Sequence, residues 1–197
     1  GCFSFYANKI ITTGEGGMVI TNNKSLYKKL KLLRNLAFEQ PRFKHKYLGF
    51  NFRMTGYQAA MGLAQTRKLD KIIKQKRRVA SCYNKHLRDI EGLQLPVENR
   101  HYKNVYWVYA INLKPSFGIN RNELMKKLKK EGIETRTFFC SMSDQPCLKK
   151  IKGFRRIKTP IASRIWKTGL YLPSSHTLSN KIIESISKKI KKIQKNI

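Results

Sequence analysis

The chain has 197 residues, 41% of them hydrophobic and 11% aromatic, which is enough for a packed core and excludes a disordered tail. Forty-two Lys and Arg stand against 11 Asp and Glu, a formal net charge of +31 that directs attention first to nucleic acid or an anionic surface. No apolar run reaches the length needed to span a bilayer as a helix, and Cys2, Cys82, Cys140 and Cys147 form no CxxC pair and have no histidine at ligand spacing, so neither a transmembrane helix nor a zinc or other metal centre is expected.

Gly1-Cys2-Phe3-Ser4-Phe5 offers no initiator Met, basic leader or apolar signal region, and Phe5 occupies the position where a myristoylation signal needs Ser or Thr; the chain reads as a fragment. Short apolar stretches from Phe3 to Thr21 surround the turn Gly14-Glu15-Gly16-Gly17, with Met18-Val19-Ile20-Thr21 as a strand leaving it. Ser25 is expected to cap a helix running to about Arg34 with Leu26, Leu30 and Leu33 on one face. Thr55 caps a second helix beginning near Gly56, whose small residues Ala59, Ala60, Gly62 and Ala64 predict close packing. Helical periodicity continues from Leu69 to Leu87, and Gly92-Leu93-Gln94-Leu95-Pro96 ends it, which places a domain boundary there.

Beyond that boundary the pattern predicts a strand over Val105–Leu113, an amphipathic helix over Asn120–Glu131 and a strand starting at Gly132-Ile133-Glu134-Thr135-Arg136, a strand-helix-strand module. A short helix over Pro160–Lys167, a strand over Gly169–Pro173 and a last helix capped by Ser179, with Ile182, Ile183, Ile186, Ile190 and Ile193 lying over a sheet, complete the chain. The paired lysines lie opposite the leucines and isoleucines of nearly every helix, as a solvated face does. A nucleic-acid surface would instead concentrate basic residues on one element with exposed aromatics between them.

One lysine differs from the rest. Lys9 stands in an uncharged, largely apolar run just before the glycine turn, and an amine in such surroundings sheds water and becomes nucleophilic toward a carbonyl more readily than a surface ammonium. By spacing alone a snorkelling surface lysine is the commoner reading, so spacing does not decide it. The pattern Ser4-Phe5-x-x-x-Lys9-x-x-x-x-Gly14-Glu15-Gly16-Gly17 resembles the signature of the DegT/DnrJ/StrS nucleotide-sugar aminotransferases, fold-type-I enzymes dependent on pyridoxal 5'-phosphate. Three further blocks resemble the same family in the same order: Gly49-Phe50-Asn51-Phe52-Arg53-Met54-Thr55 with its following helix through Gln65, then Gly132-Ile133-Glu134-Thr135-Arg136, then Gly169-Leu170-Tyr171-Leu172-Pro173-Ser174.

The resemblance implies an α/β fold comprising the end of the large domain (1–92, including the interdomain helix) and the small C-terminal α+β domain (93–197). It implies a cytoplasmic homodimer with a shared active site that binds neither nucleic acid nor membrane. Lys9 is implied as the amine that bonds to the cofactor aldehyde and later carries a proton. Ser4 is implied as a donor to the cofactor phosphate, against the alternative of a serine bonded to backbone. Asn51 is implied as a second phosphate donor reaching from the other subunit, against the alternative of a turn residue, while Arg53 either binds substrate or braces its loop. The glycines and Glu15 have backbone or structural roles. The likeness is nearest to the branch that aminates C4 of a nucleotide-linked 4-keto-6-deoxy sugar with glutamate as donor. The sugar 3-dehydrase branch has His where Lys9 stands, so the lysine points to transamination. Relatives often have His where this chain has Ser143, which leaves the substrate open, and His176 does not replace it. The family's phosphate-binding turn, ring-stacking aromatic and pyridine-pairing Asp have no counterpart here, so the piece alone is expected to bind cofactor poorly. The alternative from another class is an inactive basic fragment acting as a nucleic-acid-binding or scaffolding module.

Overall fold

The computed structural model describes residues 1–154 and 157–197 as two compact units, Gly1–Lys71 and Ile72–Ile197. The division falls inside a helix, some twenty residues before the limit expected from Gly92. Its cause is visible in the packing: Val79, Ala80, Tyr83 and Leu87 are buried in the same core as Tyr109, Ile111 and Leu170, so most of that helix belongs with the later strands.

The first unit begins with an antiparallel ribbon, β1 (Cys2–Ser4) and β2 (Gly17–Val19), in register Phe3↔Met18 and Ser4↔Gly17. Helix α1 (Lys24–Arg34) is capped by Asn23, whose Oδ1 accepts the Leu26 N–H at 2.9 Å; Ser25 lies one residue inside the first turn and is not the cap. Helix α2 (Gly56–Thr66) starts as expected at Thr55, with a reciprocal capping box: Thr55 Oγ1 accepts from Gln58 N–H and Gln58 Oε1 accepts from Thr55 N–H. Of its small residues only Gly62 makes a close approach, to Thr13, whereas Ala59, Ala60 and Ala64 are exposed within this chain. Ala37 is the one apolar residue of the described part of this unit that is buried.

The second unit carries the core. Most of α3 (Leu69–Leu87) lies in it, followed by β3 (Leu93–Gln94), β4 (Tyr109–Leu113), α4 (Arg121–Lys130), β5 (Arg136–Thr137), α5 (Pro146–Lys149), α6 (Pro160–Thr168), β6 (Gly169–Leu172) and α7 (Asn180–Lys195). The sheet order is β3-β4-β6-β5 with every neighbouring pair antiparallel, so β6 lies between β4 and β5 and the expected strand-helix-strand module is a split one. Tyr109, Ile111 and Leu113 alternate into the core with Leu170 and Leu172, where they meet Leu124 and Leu128 of α4 and Ile183, Ile186 and Ile190 of α7. Asn120 with Glu123 forms a second capping box, and Ser179 caps α7. Lys126, Lys127, Lys129 and Lys130 of α4 and Lys181, Lys188 and Lys192 of α7 are exposed opposite those buried residues, as the solvated-face reading requires.

The strand expected from Val105 begins only at Tyr109. Tyr106 is in the left-handed region at φ 49°, held there by a polar cluster that no local pattern announces. Arg77 of α3 donates to Glu98 Oε1 and to Asn104 O, both at 2.6 Å, while Glu98 also accepts from Asn104 N–H at 2.7 Å and from the Tyr106 hydroxyl at 3.2 Å. The Arg77 hydrogen bond, then the Asn104 and Tyr106 bonds, hold the Glu98 carboxyl at about 2, against a smaller opposing effect of burial. Because that value lies below the ordinary 4.5, the stabilisation from this cluster is complete above about pH 4.5 and is lost as the pH falls toward 2. Glu98→Gln is therefore expected to flatten the loss of stability over this acid range, measured by urea midpoints of both proteins at about pH 5 and about pH 3.

Lys76, one residue earlier on α3, is buried, with Nζ donating to Trp107 O at 3.1 Å and to the Ser174 carbonyl and hydroxyl oxygens. Desolvation lowers its pKa to about 8. Its three acceptors tie α3 to the residues flanking β4 and β6, a structural task for a lysine that stands between Ile72 and Val79 on the apolar face of the helix.

Candidate functional site

The Lys9 loop is built from backbone closures. After β1 the Phe5 N–H donates to Gly16 O at 2.9 Å, and Thr13 N–H returns to Phe5 O at 2.9 Å, so the residues from Tyr6 to Thr12 form a loop gathered at its neck. Within it the Lys9 N–H donates to Tyr6 O at 3.0 Å, and the residue is half-buried. Gly14 and Gly16 take φ of 78° and 149°, and a Cβ at Gly16 would stand 2.5 Å from Thr13 Oγ1, so the turn after the lysine needs glycine for both conformation and space. The Glu15 carbonyl accepts from Thr13 Oγ1 at 2.6 Å and from Gln58 Nε2 at 3.1 Å; these bonds engage its backbone. Ser4 closes β1 opposite Gly17, exposed, with its Oγ accepting from Tyr6 N–H at 3.4 Å.

Asn51 and Arg53 are positioned by the end of α1. Leu36 and Ala37 are consecutive residues at positive φ, 58° and 52°, and they fold the chain back so that Leu36 N–H donates to Phe50 O, Phe50 N–H to Leu33 O and Phe52 N–H to Arg34 O. Gly49 makes this possible: a Cβ there would lie 2.2 Å from the Ala37 nitrogen. Along the extended segment the Phe50 and Phe52 rings stack at 4.9 Å, while Arg53 Nε donates to Asn51 Oδ1 at 3.2 Å and Arg53 Nη1 to Asn35 Oδ1 at 3.3 Å. Arg53 thus braces the loop. A guanidinium is donor-only, so it holds the Asn51 amide by its oxygen and turns the NH2 group, the half able to donate to a phosphate, the other way.

A groove of about 830 Å³ in this unit is lined by Gly17, Met18, Tyr27, Lys31, Asn51 and Arg53 among others. Asn51 and Arg53 share the wall of this groove with Phe3 and Gly17, the neighbours of Ser4 along the chain and across the ribbon. Two contributors escaped the sequence reading. Asn35, eighteen residues before Arg53, completes the brace, and Gln58 joins the glycine turn to α2; the Thr-x-x-Gln spacing from Thr55 was the available signal for Gln58.

The family model described as the DegT/DnrJ/EryC1/StrS aminotransferase family matches residues 1–191. The chain belongs to this family. The aminotransferases of the family depend on pyridoxal phosphate. GDP-perosamine synthase of Escherichia coli O157:H7 is 36% identical over 190 residues, covering 94% of this chain and 50% of that protein. The crystal structure of DesI in the presence of its TDP-sugar product superposes at a TM-score of 0.85 with 27% identity, over 98% of this chain and 49% of that one. E. coli GDP-4-keto-6-deoxy-D-mannose-3-dehydratase with bound hydrated PLP shares the fold at a TM-score of 0.84 and 21% identity, over 96% of this chain and 54% of that one. The chain spans about half the length of the curated relatives it matches. The expected α/β architecture, the C-terminal part of a fold-type-I aminotransferase, agrees with these neighbours. Among the described residues no helix is long and apolar enough to cross a membrane.

Proposed function

We propose that the whole protein is a pyridoxal-phosphate-dependent aminotransferase that moves an amino group from glutamate to C4 of a nucleotide-linked 4-keto-6-deoxy sugar, a reading supported by its likeness to a protein named GDP-perosamine synthase. The observation that carries the reading is Lys9 itself, half-buried in a loop that two backbone closures and a glycine turn hold in one shape, in a chain that belongs to the DegT/DnrJ/EryC1/StrS aminotransferase family.

The donors available suit a phosphorylated aldehyde: a primary amine at Lys9, a hydroxyl at Ser4 and an amide at Asn51 whose NH2 is turned away from its brace. Pyridoxal phosphate, when bound, supplies the aldehyde and an electron sink for charge left at the donor's α carbon. Lys9 Nζ would hold the aldehyde, and the same amine would move the proton once it is free of it. Ser4 and Asn51 would donate to the phosphate oxygens and orient the cofactor. Arg53, already engaged with Asn51 and Asn35, acts on substrate through the cation it keeps at the groove wall. The reading includes a homodimer with a shared site, in which Asn51 reaches the cofactor phosphate from the second copy. A cytoplasmic setting suits a nucleotide-sugar substrate.

The test uses the full-length protein incubated with pyridoxal phosphate and reduced with borohydride. A cofactor adduct on the peptide containing Lys9, with formation of 2-oxoglutarate when glutamate and a GDP-linked 4-keto-6-deoxy sugar are supplied, is the expected result; reduction that leaves Lys9 unmodified would falsify the reading.

A further inference from the structure

The stripe of α2 that faces the Lys9 loop is built to grip it. Gln58, Gly62 and Gln65 recur at the four- and three-residue spacings that share one helix face, and all three meet the returning limb of the loop. Gln65 Oε1 accepts the Thr12 N–H at 3.0 Å, and Gln65 Nε2 donates to Thr12 O at 2.6 Å, so one side-chain amide satisfies both backbone groups of Thr12 as a neighbouring strand would. The same Nε2 donates to Met61 O at 3.0 Å, one turn back on its own helix, which fixes the side chain that does the gripping. At Gly62 a Cβ would stand 3.0 Å from Thr13 Cγ2, so the helix backbone lies directly against a threonine that is itself 3% exposed. Gln58 adds the bond to Glu15 O. Thr12 and Thr13 in turn hold the other limb: Thr12 Oγ1 donates to Phe5 O at 3.0 Å beside the Thr13 N–H bond to the same oxygen.

We propose that Gln65 is a positioning residue for Lys9. It acts through Thr12: the paired amide bonds set the depth and angle at which the loop leaves α2, and Lys9, three residues before Thr12, inherits that placement. The inference rests on the reading of Lys9 as the cofactor-bearing amine, and the grip can be measured without the cofactor. A reacting amine displaced by about 1 Å costs on the order of 100-fold in turnover, which is the scale on which a loosened loop is felt.

The experiment compares the full-length protein with Gln65→Met, which removes both bonds at similar volume, and Gln65→Glu, which keeps the acceptor for Thr12 N–H and loses the donor to Thr12 O. Hydrogen exchange is followed at the Thr12 amide without cofactor. The pH midpoint of the visible absorbance of bound pyridoxal phosphate and the separate values of kcat and KM are then measured with it. Expected are Thr12 exchange about 10-fold or more faster in Gln65→Met with a smaller rise in Gln65→Glu, a displaced midpoint in both, and kcat lowered about 10- to 100-fold with the KM for glutamate nearly unchanged. Unchanged Thr12 protection in Gln65→Met would overturn the grip. Faster exchange with unaltered midpoint and kcat would overturn the positioning role and leave Gln65 as a packing residue. If the unsubstituted protein yields no reduced adduct at Lys9, the proposed function itself fails and takes the positioning role with it, while the exchange result still reports the grip separately.

Discussion

Lys9→Ala in the full-length protein is expected to lower transamination by at least about 1,000-fold and to abolish the borohydride-fixed adduct. The amine has two tasks that no neighbour duplicates: holding the aldehyde and moving the proton. Lys9→Arg separates charge from chemistry, since a guanidinium keeps the positive charge but does not deprotonate to become a nucleophile or a base at neutral pH, and it is expected to be as inactive as the alanine variant. The loop is closed by the backbone of Phe5, Thr13 and Gly16, with Gln65 on Thr12, and these closures remain in both variants. Both variants should therefore unfold within about 1 kcal/mol of the unsubstituted protein. Steady-state rates with glutamate as donor, run beside urea unfolding, check both halves; residual activity above about 10% in the arginine variant would assign the chemistry to another amine.

The parts of the molecule that were legible beforehand are those whose causes are local. Thr55, Asn120 and Ser179 announce helix starts because a cap and its helix lie within four residues of each other. The glycine turn was legible for the same reason, Gly14 to Gly17 being one continuous run. What escaped depends on partners far along the chain. The late start of β4 follows from Arg77 and Glu98 holding Tyr106, and the position of β6 between β4 and β5 is a pairing choice that neither strand's own alternation encodes. The bracing of Arg53 through Asn35 needs the two left-handed residues that end α1, and Gln65 meets Thr12 across 53 residues. At Asn23 the miss was one of competition: two capping residues stood two apart, and the one whose carbonyl precedes the first turn took the role. The lysines of α4 and α7 fall on the exposed side because Leu and Ile mark the buried one, a pattern that is local to each helix.

The unequal cores of the two units give the second large effect. Leu124, fully buried on α4, packs with Leu128 and with Ile183 and Ile190 of α7 in a cluster whose members come from the sheet and three helices. Leu124→Ala removes that contact and leaves a cavity that close-packed neighbours fill only in part, so a loss of about 2 to 5 kcal/mol is expected, with a fall in Tm of roughly 10 °C. Leu63→Ala on α2 is the counterpart: the same chemical change at a side chain 55% exposed, in a unit whose described part buries only Ala37 among its apolar residues. Within the 197-residue chain it is expected to cost less than about 1 kcal/mol, because little apolar area is returned to water. Calorimetry of the two variants distinguishes the cases. A large loss for Leu124→Ala alone shows that the chain's cooperative unfolding is that of residues 72–197, whereas equal losses would require α2 to be packed against apolar surface that its exposure here denies. The same logic explains why α2 is so closely tied to the loop by amides. With almost no buried apolar area to hold them together, Gln58 and Gln65 supply by directed hydrogen bonds the fixation that a core would otherwise provide, and the bonds stand where Lys9 needs them.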